Sequence, residues 1–147
     1  KIIKNFNLFI CLYLYKIKVI IIIIITMNWY LKVMTQNYAN FSGRARRKEY
    51  WMWYLFYLIM IIIATILDLI IGSSFFGLPY GICYLLVGLA HFVPGLAAAV
   101  RRLHDVGKSG WSLLIGLIPL LGAIWLLVLF LIEGEQKENK YGANPKD

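Results

Sequence analysis

The chain has 147 residues, of which 61% are hydrophobic and 15% are charged, and it carries a formal net charge of +8. Soluble domains are about 45–50% apolar and about 25% charged, and the apolar surplus here lies in blocks long enough to cross a bilayer, which excludes an ordinary soluble domain. The basic residues flank these blocks, where they set membrane orientation, and signatures of DNA- or RNA-binding modules are missing, so no nucleic-acid partner is expected.

Residues 1–26 differ in composition from the rest of the chain. They contain no Gly, Ala, Pro, Trp, Arg, Asp or Glu, and many of their residues have AT-rich codons. We expect this segment to be translated upstream sequence or a non-native leader, with the natural start at Met27. The alternative is a fourth membrane span, which Lys16 and Lys18 disfavour because a Lys near a helix centre costs about 2.5–3.5 kcal/mol.

Residues 27–41 have the apolar period of an amphipathic helix. Apolar side chains recur at three- and four-residue intervals, and polar side chains such as Lys32 and Gln36 occupy the other side. Beside a membrane span, this pattern predicts a helix lying in the membrane interface. A helix packed on the same protein remains the alternative.

Three apolar segments follow, at about residues 50–71, 82–100 and 111–132, and each predicts a transmembrane helix. The first would be ~33 Å long as a helix, which is enough to span a bilayer. Residues 133–147 form a polar tail. The predicted fold is therefore an all-α integral membrane protein, with an interfacial helix before three transmembrane helices, and residues 27–147 form one small domain.

Proline and small residues interrupt the second and third segments. Pro94 cannot donate a backbone hydrogen bond and should kink its helix, and Pro119 with Gly122 predicts a second bend. Gly95 and Ala99 form a small-xxx-small pair that lets another helix approach closely.

Lys and Arg predict the orientation. They cluster before the first span and between the second and third, whereas the loop between the first and second spans has none. Because cytoplasmic loops carry an excess of Lys and Arg, we expect both clusters on the cytoplasmic side of the membrane. Three spans then place the C-terminal tail outside.

The two basic clusters are candidates for a binding site. Arg holds phosphate through paired hydrogen bonds, and the inner leaflet is anionic, so we expect an anion or headgroup pocket between the clusters. The alternative is solvated Arg side chains that serve orientation alone. The helical spacing predicts that Arg101 pairs with Asp105, which leaves Arg102 free. The binding candidates are Arg44, Arg46, Arg47, Arg101, Arg102 and Lys108, with Glu49, His104 and Asp105 as orienting residues.

The triplet Gly107, Lys108 and Ser109 is the tail of a phosphate-loop pattern. Arg102 stands where that pattern requires its first Gly, so we predict a turn that closes a helical hairpin.

Aromatic and ionisable residues mark the predicted spans. Trp51, Trp53 and Trp111 lie near span ends and predict interfacial membrane anchors. Asp68 and His91 lie within spans, where ionisable residues are candidates for function. We expect Asp68 to cap or pair at the outer interface and His91 to bond to a neighbouring helix.

Catalysis and metal binding are not expected. His104 and Asp105 are adjacent on a helix and point about 100° apart, which does not suit a catalytic pair. A metal site would need more ligands, and beyond this pair the chain offers only His91, which lies inside the second span. Cys11 and Cys83 are isolated in apolar surroundings and should behave as small hydrophobes. We predict no metal, no cofactor and no enzymatic activity.

Two motifs resemble a known family. FSGRxxRxEYW, within residues 41–51, and RRLHDxGxSGW, within residues 101–111, together with KENKYGANP near the C-terminus, resemble the domain of unknown function 805 family, the YhaH-like bacterial inner membrane proteins. The resemblance runs from Met27 to the C-terminus and departs at Ser112, where many members carry a second Trp. It implies a small multi-spanning protein without an established activity, and it supports Met27 as the start.

The leading functional hypothesis is a non-enzymatic membrane module whose cytoplasmic face binds anionic phospholipid headgroups or a partner protein. The alternative is a subunit of an oligomeric transporter for a small solute or ion, with Pro94, Pro119 and His91 as its moving or polar parts. A membrane enzyme that uses His104 and Asp105 is the third. The expected partners are the lipid bilayer, anionic phospholipid, and a second copy or another membrane protein.

Overall fold

The structure is a computed structural model that describes residues 2–73, 77–78 and 80–146, with side chains from Leu12 onward. Within these residues the α-helices are α1 (Ile2–Leu31), α2 (Arg47–Ile71), α3 (Ile82–Asp105) and α4 (Leu121–Leu131). A π-helical turn, Lys32–Gln36, extends α1, and a 3₁₀ helix, Gly110–Leu117, precedes α4. The Cys11 side chain and part of the turn predicted between the first two spans lie outside the described residues.

Three described helical segments are long and apolar enough to cross a membrane: Leu12–Gln36, Arg47–Ile71 and Ile82–Asp105. The predicted all-α membrane fold with three membrane-length helices is therefore confirmed. Only Arg47–Ile71 and Ile82–Asp105 coincide with predicted spans, and Leu12–Gln36 overlaps the segment in which a span was disfavoured. The segment at residues 27–41, predicted as a separate interfacial helix, instead continues α1 as far as Gln36. No Gly or Pro interrupts residues 2–36, so nothing breaks the helical backbone there. The origin of residues 1–26 stays a prediction.

Helices α2 and α3 pack closely because small residues lie between them. A Cβ on Gly95 would lie 2.5 Å from the Trp53 indole, so this glycine makes room for the ring. Ala97, Ala98 and Ala99 are buried beside it. The close approach predicted from the small-residue pair is present.

Pro94 lies inside α3 and leaves the carbonyl of Ala90, one turn earlier, without its helical donor. The Tyr38 hydroxyl donates to that carbonyl at 3.0 Å. An unpaired carbonyl in the hydrocarbon region is costly, so the loop after α1 stabilises the proline site in α3.

Residues 110–131 form a hairpin, which corrects the prediction of one span at residues 111–132. The chain reverses at residues 118–120, where Leu120 has a φ of 63°, and a Cβ on Gly122 would collide with the Ile115 carbonyl on the opposite leg. Each leg is ~16 Å long, about half of a ~30 Å hydrocarbon core. We call the hairpin re-entrant because both of its ends lie at the same end of α2 and α3.

The polar tail consequently lies at the same end as the Arg-rich segments. The backbone amide of Glu135 donates to the carbonyl of Asp105 at 2.9 Å, and Asn139 donates to the carbonyl of His104 at 3.0 Å. The tail was predicted on the opposite side because three full spans were assumed. In the structure the hairpin returns instead, and the tail contacts α3 at the Arg-rich end.

Candidate anion-binding site at the arginine-rich end

The segment before α2 lies along the last turns of α3. The amide of Ala45 donates to the carbonyl of Arg101 at 2.9 Å. The Nδ1 atom of His104 lies 3.1 Å from the carbonyl of Gly43, and because a carbonyl can only accept, Nδ1 carries the proton. The His104 ring also stacks on Tyr141 of the tail, with 3.7 Å between centroids. These contacts bring the two predicted basic clusters together.

Arg44, Arg102 and Asp105 form a buried group that we call the saturated cluster. Arg102 is fully buried and donates to Asp105 Oδ2 at 2.5 Å. Its other nitrogens donate to three carbonyls at the end of α4, those of Leu129, Phe130 and Ile132. The last carbonyls of a helix lack intrahelical partners, so Arg102 caps α4.

Arg44 completes this cluster from the other side. Its Nε donates to Asp105 Oδ1 at 3.0 Å, and its remaining nitrogens donate to tail carbonyls, including that of Lys137 at 2.8 Å. Asp105 therefore pairs with Arg44 and Arg102, which corrects the predicted Arg101–Asp105 pair and the prediction that Arg102 is free. Asp105 faces the tail and α4, whereas Arg101 faces α2.

A cavity of about 280 Å³ lies beside the saturated cluster, between the end of α1, the segment before α2, and α3. We call it the basic cavity. Its charged lining consists of Lys32, Arg44, Arg46, Arg101 and Glu49, and its uncharged polar lining includes Asn37, Asn40 and Ser42.

Arg101 is the buried cation of the basic cavity. Its Nη1 pairs with the Glu49 carboxylate, and both side chains are 3% exposed. Its Nε and Nη2 atoms are buried and find no acceptor among the described residues. These two nitrogens form one edge of the guanidinium, the edge that binds two oxygens of a carboxylate or phosphate side by side. Buried donors without partners are rare and cost about 1–3 kcal/mol each, so this edge calls for an acceptor.

Trp29 places two further cations at the cavity. Its ring lies 5.7 Å from Lys32 Nζ and 5.7 Å from the Arg46 guanidinium carbon. Lys32 also approaches Glu49 at 3.9 Å, a loose pair. Sequence reasoning assigned Lys32 to orientation and did not single out Trp29, because their closeness to Arg101 depends on the packing of α1 against α2 and α3.

Two other binding candidates lie outside the basic cavity. Arg47 donates to the carbonyl of Leu131 at 3.2 Å and pairs with Glu133 at 3.4 Å, and its side chain is 44% exposed. Lys108 is exposed in the turn after α3. In that turn Gly107 has a φ of 72° and Ser109 accepts from the amide of Trp111, so the Gly-Lys-Ser triplet forms the connection into the re-entrant hairpin.

Asp68 caps α3 at the other end of the molecule. Its carboxylate accepts hydrogen bonds from the backbone amides of Gly81, Cys83 and Tyr84 at 2.8–3.0 Å. The capping role expected for Asp68 is present, and the carboxylate is occupied by structural bonds.

His91 is bonded on both ring nitrogens. Nδ1 lies 2.8 Å from the carbonyl of Val87 and so carries the proton, and Nε2 accepts from the Tyr30 hydroxyl of α1 at 2.8 Å. The expected bond to a neighbouring helix is present.

The predicted Trp anchors occupy three environments. Trp111 is 79% exposed on the apolar surface, whereas Trp53 is buried between α2 and α3. Trp51 is half-buried and donates to the carbonyl of Phe130 at 3.1 Å, which ties α2 to the end of α4. Across the described residues, no three His, Cys, Asp or Glu side chains converge on a site for a metal ion.

Comparison with known proteins gives a family match over most of the chain. The model of the family "Protein of unknown function (DUF805)" matches residues 38–143. "Inner membrane protein YhaI" of Escherichia coli (strain K12) is 49% identical over 122 residues, which cover 82% of this chain and 97% of the relative. "Inner membrane protein YhaH" of the same strain is 42% identical over 120 residues, 82% of this chain and 98% of the relative. No solved structure matches the chain.

Proposed function

The chain belongs to the DUF805 family, and on that premise we propose that it is a non-enzymatic inner-membrane protein whose basic cavity binds the headgroup of an anionic phospholipid. Two relatives carry the name of inner membrane proteins, and the chain matches nearly their full length. The cytoplasmic leaflet of such a membrane is anionic, which suits a basic site at the interface.

The unpaired edge of Arg101 carries this proposal. A buried guanidinium edge without an acceptor needs a ligand that brings two oxygens, and Lys32 and Arg46 add positive charge beside it. If the basic residues served only membrane orientation, their charged groups could remain solvated. That alternative gives no reason to bury the guanidinium edge of Arg101.

The distribution of basic residues supports a cytoplasmic location for this end. The basic cavity, Lys48 and Lys108 lie at one end of α2 and α3, whereas the sequence that connects α2 to α3, residues 72–81, contains no Lys or Arg. By the positive-inside rule the basic end faces the cytoplasm. Because the hairpin is re-entrant, we place the C-terminal tail on that side also.

A charge-matched pair of variants tests the proposal. The Lys32→Gln/Arg46→Gln double variant removes two cations from the basic cavity, and Arg47→Gln/Lys108→Gln removes two cations outside it. A surface cation contributes about 1 kcal/mol to attraction by an anionic membrane, so both doubles lose some general attraction. Native mass spectrometry of protein released from phosphatidylglycerol-containing nanodiscs should show roughly tenfold less retained lipid for the cavity double than for its control.

Equal lipid retention by the two doubles would contradict a headgroup site in the basic cavity. Co-purification of a protein with the wild type, lost in the cavity double while lipid retention is unchanged, would assign the cavity to a protein partner instead.

A further inference from the structure

We propose that the basic cavity selects a terminal phosphate monoester, the dianion of a phosphatidate-type headgroup, over the phosphodiesters of common anionic lipids. This inference rests on the proposed function, because it names the ligand chemistry of the same cavity. It follows from three features of the lining: the charge balance, the unpaired Arg101 edge, and the polar groups that complete the wall.

The charge balance leaves excess positive charge at the cavity. Four cations line it, and the acidic groups that pair with them are Glu49 and Asp105. Asp105 is shared with Arg102 of the saturated cluster, so it offsets Arg44 only in part. A phosphate monoester carries about −1.5 to −2 charges near neutral pH, whereas a diester carries one. The monoester therefore matches the cavity more closely.

The donor geometry favours three terminal oxygens. The Nε and Nη2 edge of Arg101 takes two oxygens of one phosphate. Trp29 holds Lys32 and Arg46 at the same cavity, where they can meet a third oxygen. A diester has only two non-bridging oxygens, so its third contact would fall on an ester oxygen, which is a weaker acceptor with no full charge.

Uncharged groups complete the wall. The side-chain carbonyl of Asn37 accepts from Asn40 at 3.0 Å, which leaves the Asn37 amide nitrogen as a donor at the cavity. Asn40 in turn accepts from the Ser42 amide at 3.1 Å and holds the loop in place. The Ser42 hydroxyl supplies another donor. Neutral donors of this kind bind a phosphate oxygen without adding charge.

The experiment compares lipids that differ in the phosphate ester. Full-length protein is placed in phosphatidylcholine nanodiscs that contain either phosphatidic acid or phosphatidylglycerol, and retained lipid is counted by native mass spectrometry. We expect about tenfold preference for phosphatidic acid at pH 7.5. The preference should fall at pH 5.5, because the second phosphate proton binds with a pKa of about 6.

Arg101→Lys tests the guanidinium edge. Lys keeps the positive charge and can still pair with Glu49, but it lacks the two-nitrogen edge that would take two oxygens of either ester, so retention of phosphatidic acid and of phosphatidylglycerol should both fall about tenfold. Arg47→Lys makes the same replacement outside the cavity and should leave the retention of both lipids intact.

Competition distinguishes the two sources of a phosphate monoester. Glycerol phosphate and inorganic phosphate are added to nanodiscs loaded with phosphatidic acid. Displacement by millimolar glycerol phosphate would assign the site to the phosphate group whether or not it is carried by a lipid. Retention of phosphatidic acid under the same conditions would assign it to the lipid.

The outcomes separate the two proposals. Equal wild-type retention of phosphatidic acid and phosphatidylglycerol overturns monoester selection and leaves the headgroup function standing. Retention of neither lipid above phosphatidylcholine overturns both proposals. Unchanged retention of both lipids in Arg101→Lys overturns the role of the guanidinium edge, and the wild-type comparison needs no variant to fold.

Discussion

Arg101 and Arg102 are neighbours on α3 and are both almost completely buried, at 3% and 0% exposure, yet their guanidinium groups meet different surroundings. Every nitrogen of Arg102 donates to Asp105 or to a carbonyl at the end of α4. Arg101 lines the basic cavity and uses Nη1 on Glu49, and its other two nitrogens are buried and find no acceptor among the described residues. One arginine completes the fold, and the other carries the edge on which the proposed binding rests.

The saturated cluster and the basic cavity differ in how many of their buried donors have a hydrogen-bond acceptor. Residue type, charge and burial are the same for both arginines. A buried polar group that is fully paired stabilises a unique arrangement, whereas an unpaired one is costly and marks a place for a ligand. Substitutions in the saturated cluster should therefore act on stability, and substitutions in the basic cavity should act on binding.

The largest loss of stability is expected from Arg102→Met, which keeps an unbranched side chain and removes the charge. It leaves the Leu129 and Ile132 carbonyls and one oxygen of Asp105 without their donor, and breaking a buried ion pair costs about 3–5 kcal/mol. Thermal unfolding in detergent, followed by tryptophan fluorescence, measures the loss. Arg47→Met removes an exposed cation as the control and should cost about 0–1 kcal/mol. Equal melting of the two variants would contradict a stabilising role for the saturated cluster.

A smaller loss of stability is expected from Gly134→Ala at the start of the tail. A Cβ at this position would collide with the Asp105 carboxylate, which Arg44 and Arg102 hold from both sides. Overpacking of this kind costs about 1–3 kcal/mol. Gly88→Ala is the control, because a Cβ there meets no described atom within 4 Å and Ala favours a helix. An unchanged melting temperature for Gly134→Ala would show that the tail can move away without cost.

Glu49→Gln sharpens the comparison because its two effects have opposite signs. It removes the carboxylate that pairs with Arg101 and Lys32, so the ligand-free protein should lose about 1–3 kcal/mol of stability. The added positive charge should raise affinity for anionic lipid roughly fivefold, since one charge at the membrane surface is worth about 1 kcal/mol. Asp105→Asn in the saturated cluster should lower stability with a smaller gain in affinity, because Asp105 offsets Arg44 of the basic cavity only in part. Titration with anionic lipid and thermal unfolding measure both effects.

The smallest effect on stability is expected at Glu133, an exposed residue at the start of the tail that pairs with Arg47 and Lys146. A hydrogen bond from Lys146, the Lys146 charge and the nearby Arg47 charge hold the pKa of Glu133 below its ordinary value. Because the folded-state pKa is the lower one, this contribution is present above the unfolded value of about 4.3 and is lost as pH falls through the folded value. Limited proteolysis of the tail should therefore be slightly faster in Glu133→Gln at pH 7, and the difference should vanish near pH 3. A difference that grows at low pH would contradict this sign.

A helix could be predicted from the sequence wherever the apolar run that specifies it lies within a single segment. The apolar runs at residues 50–71 and 82–100 lie within α2 and α3, and the small residues near Gly95 allow the predicted close approach. For the third apolar run, at residues 111–132, the sequence does not distinguish a membrane span from a hairpin. Its length satisfies either, and the reversal with Leu120 at positive φ has no strong signal because Leu rarely adopts that conformation.

The site could be predicted only as a region. Both basic clusters were identified, but their pairing depends on which partner each guanidinium meets in space. Asp105 lies four residues from Arg101 and three from Arg102, so helical spacing allows both pairs. The tail and the end of α4 decide between them, and neither could be placed beside α3 from the sequence.

The sequence by itself determined that this is a helical membrane protein of the DUF805 family with its Arg residues gathered near the ends of apolar segments, because length, hydrophobicity and charge act within each segment. Only the tertiary structure decided that Arg102 closes the end of α4, that the tail returns to the Arg-rich end, and that Arg101 keeps an unpaired edge at a basic cavity. These features depend on hydrogen bonds between segments far apart in the chain, and such bonds form only after the helices pack.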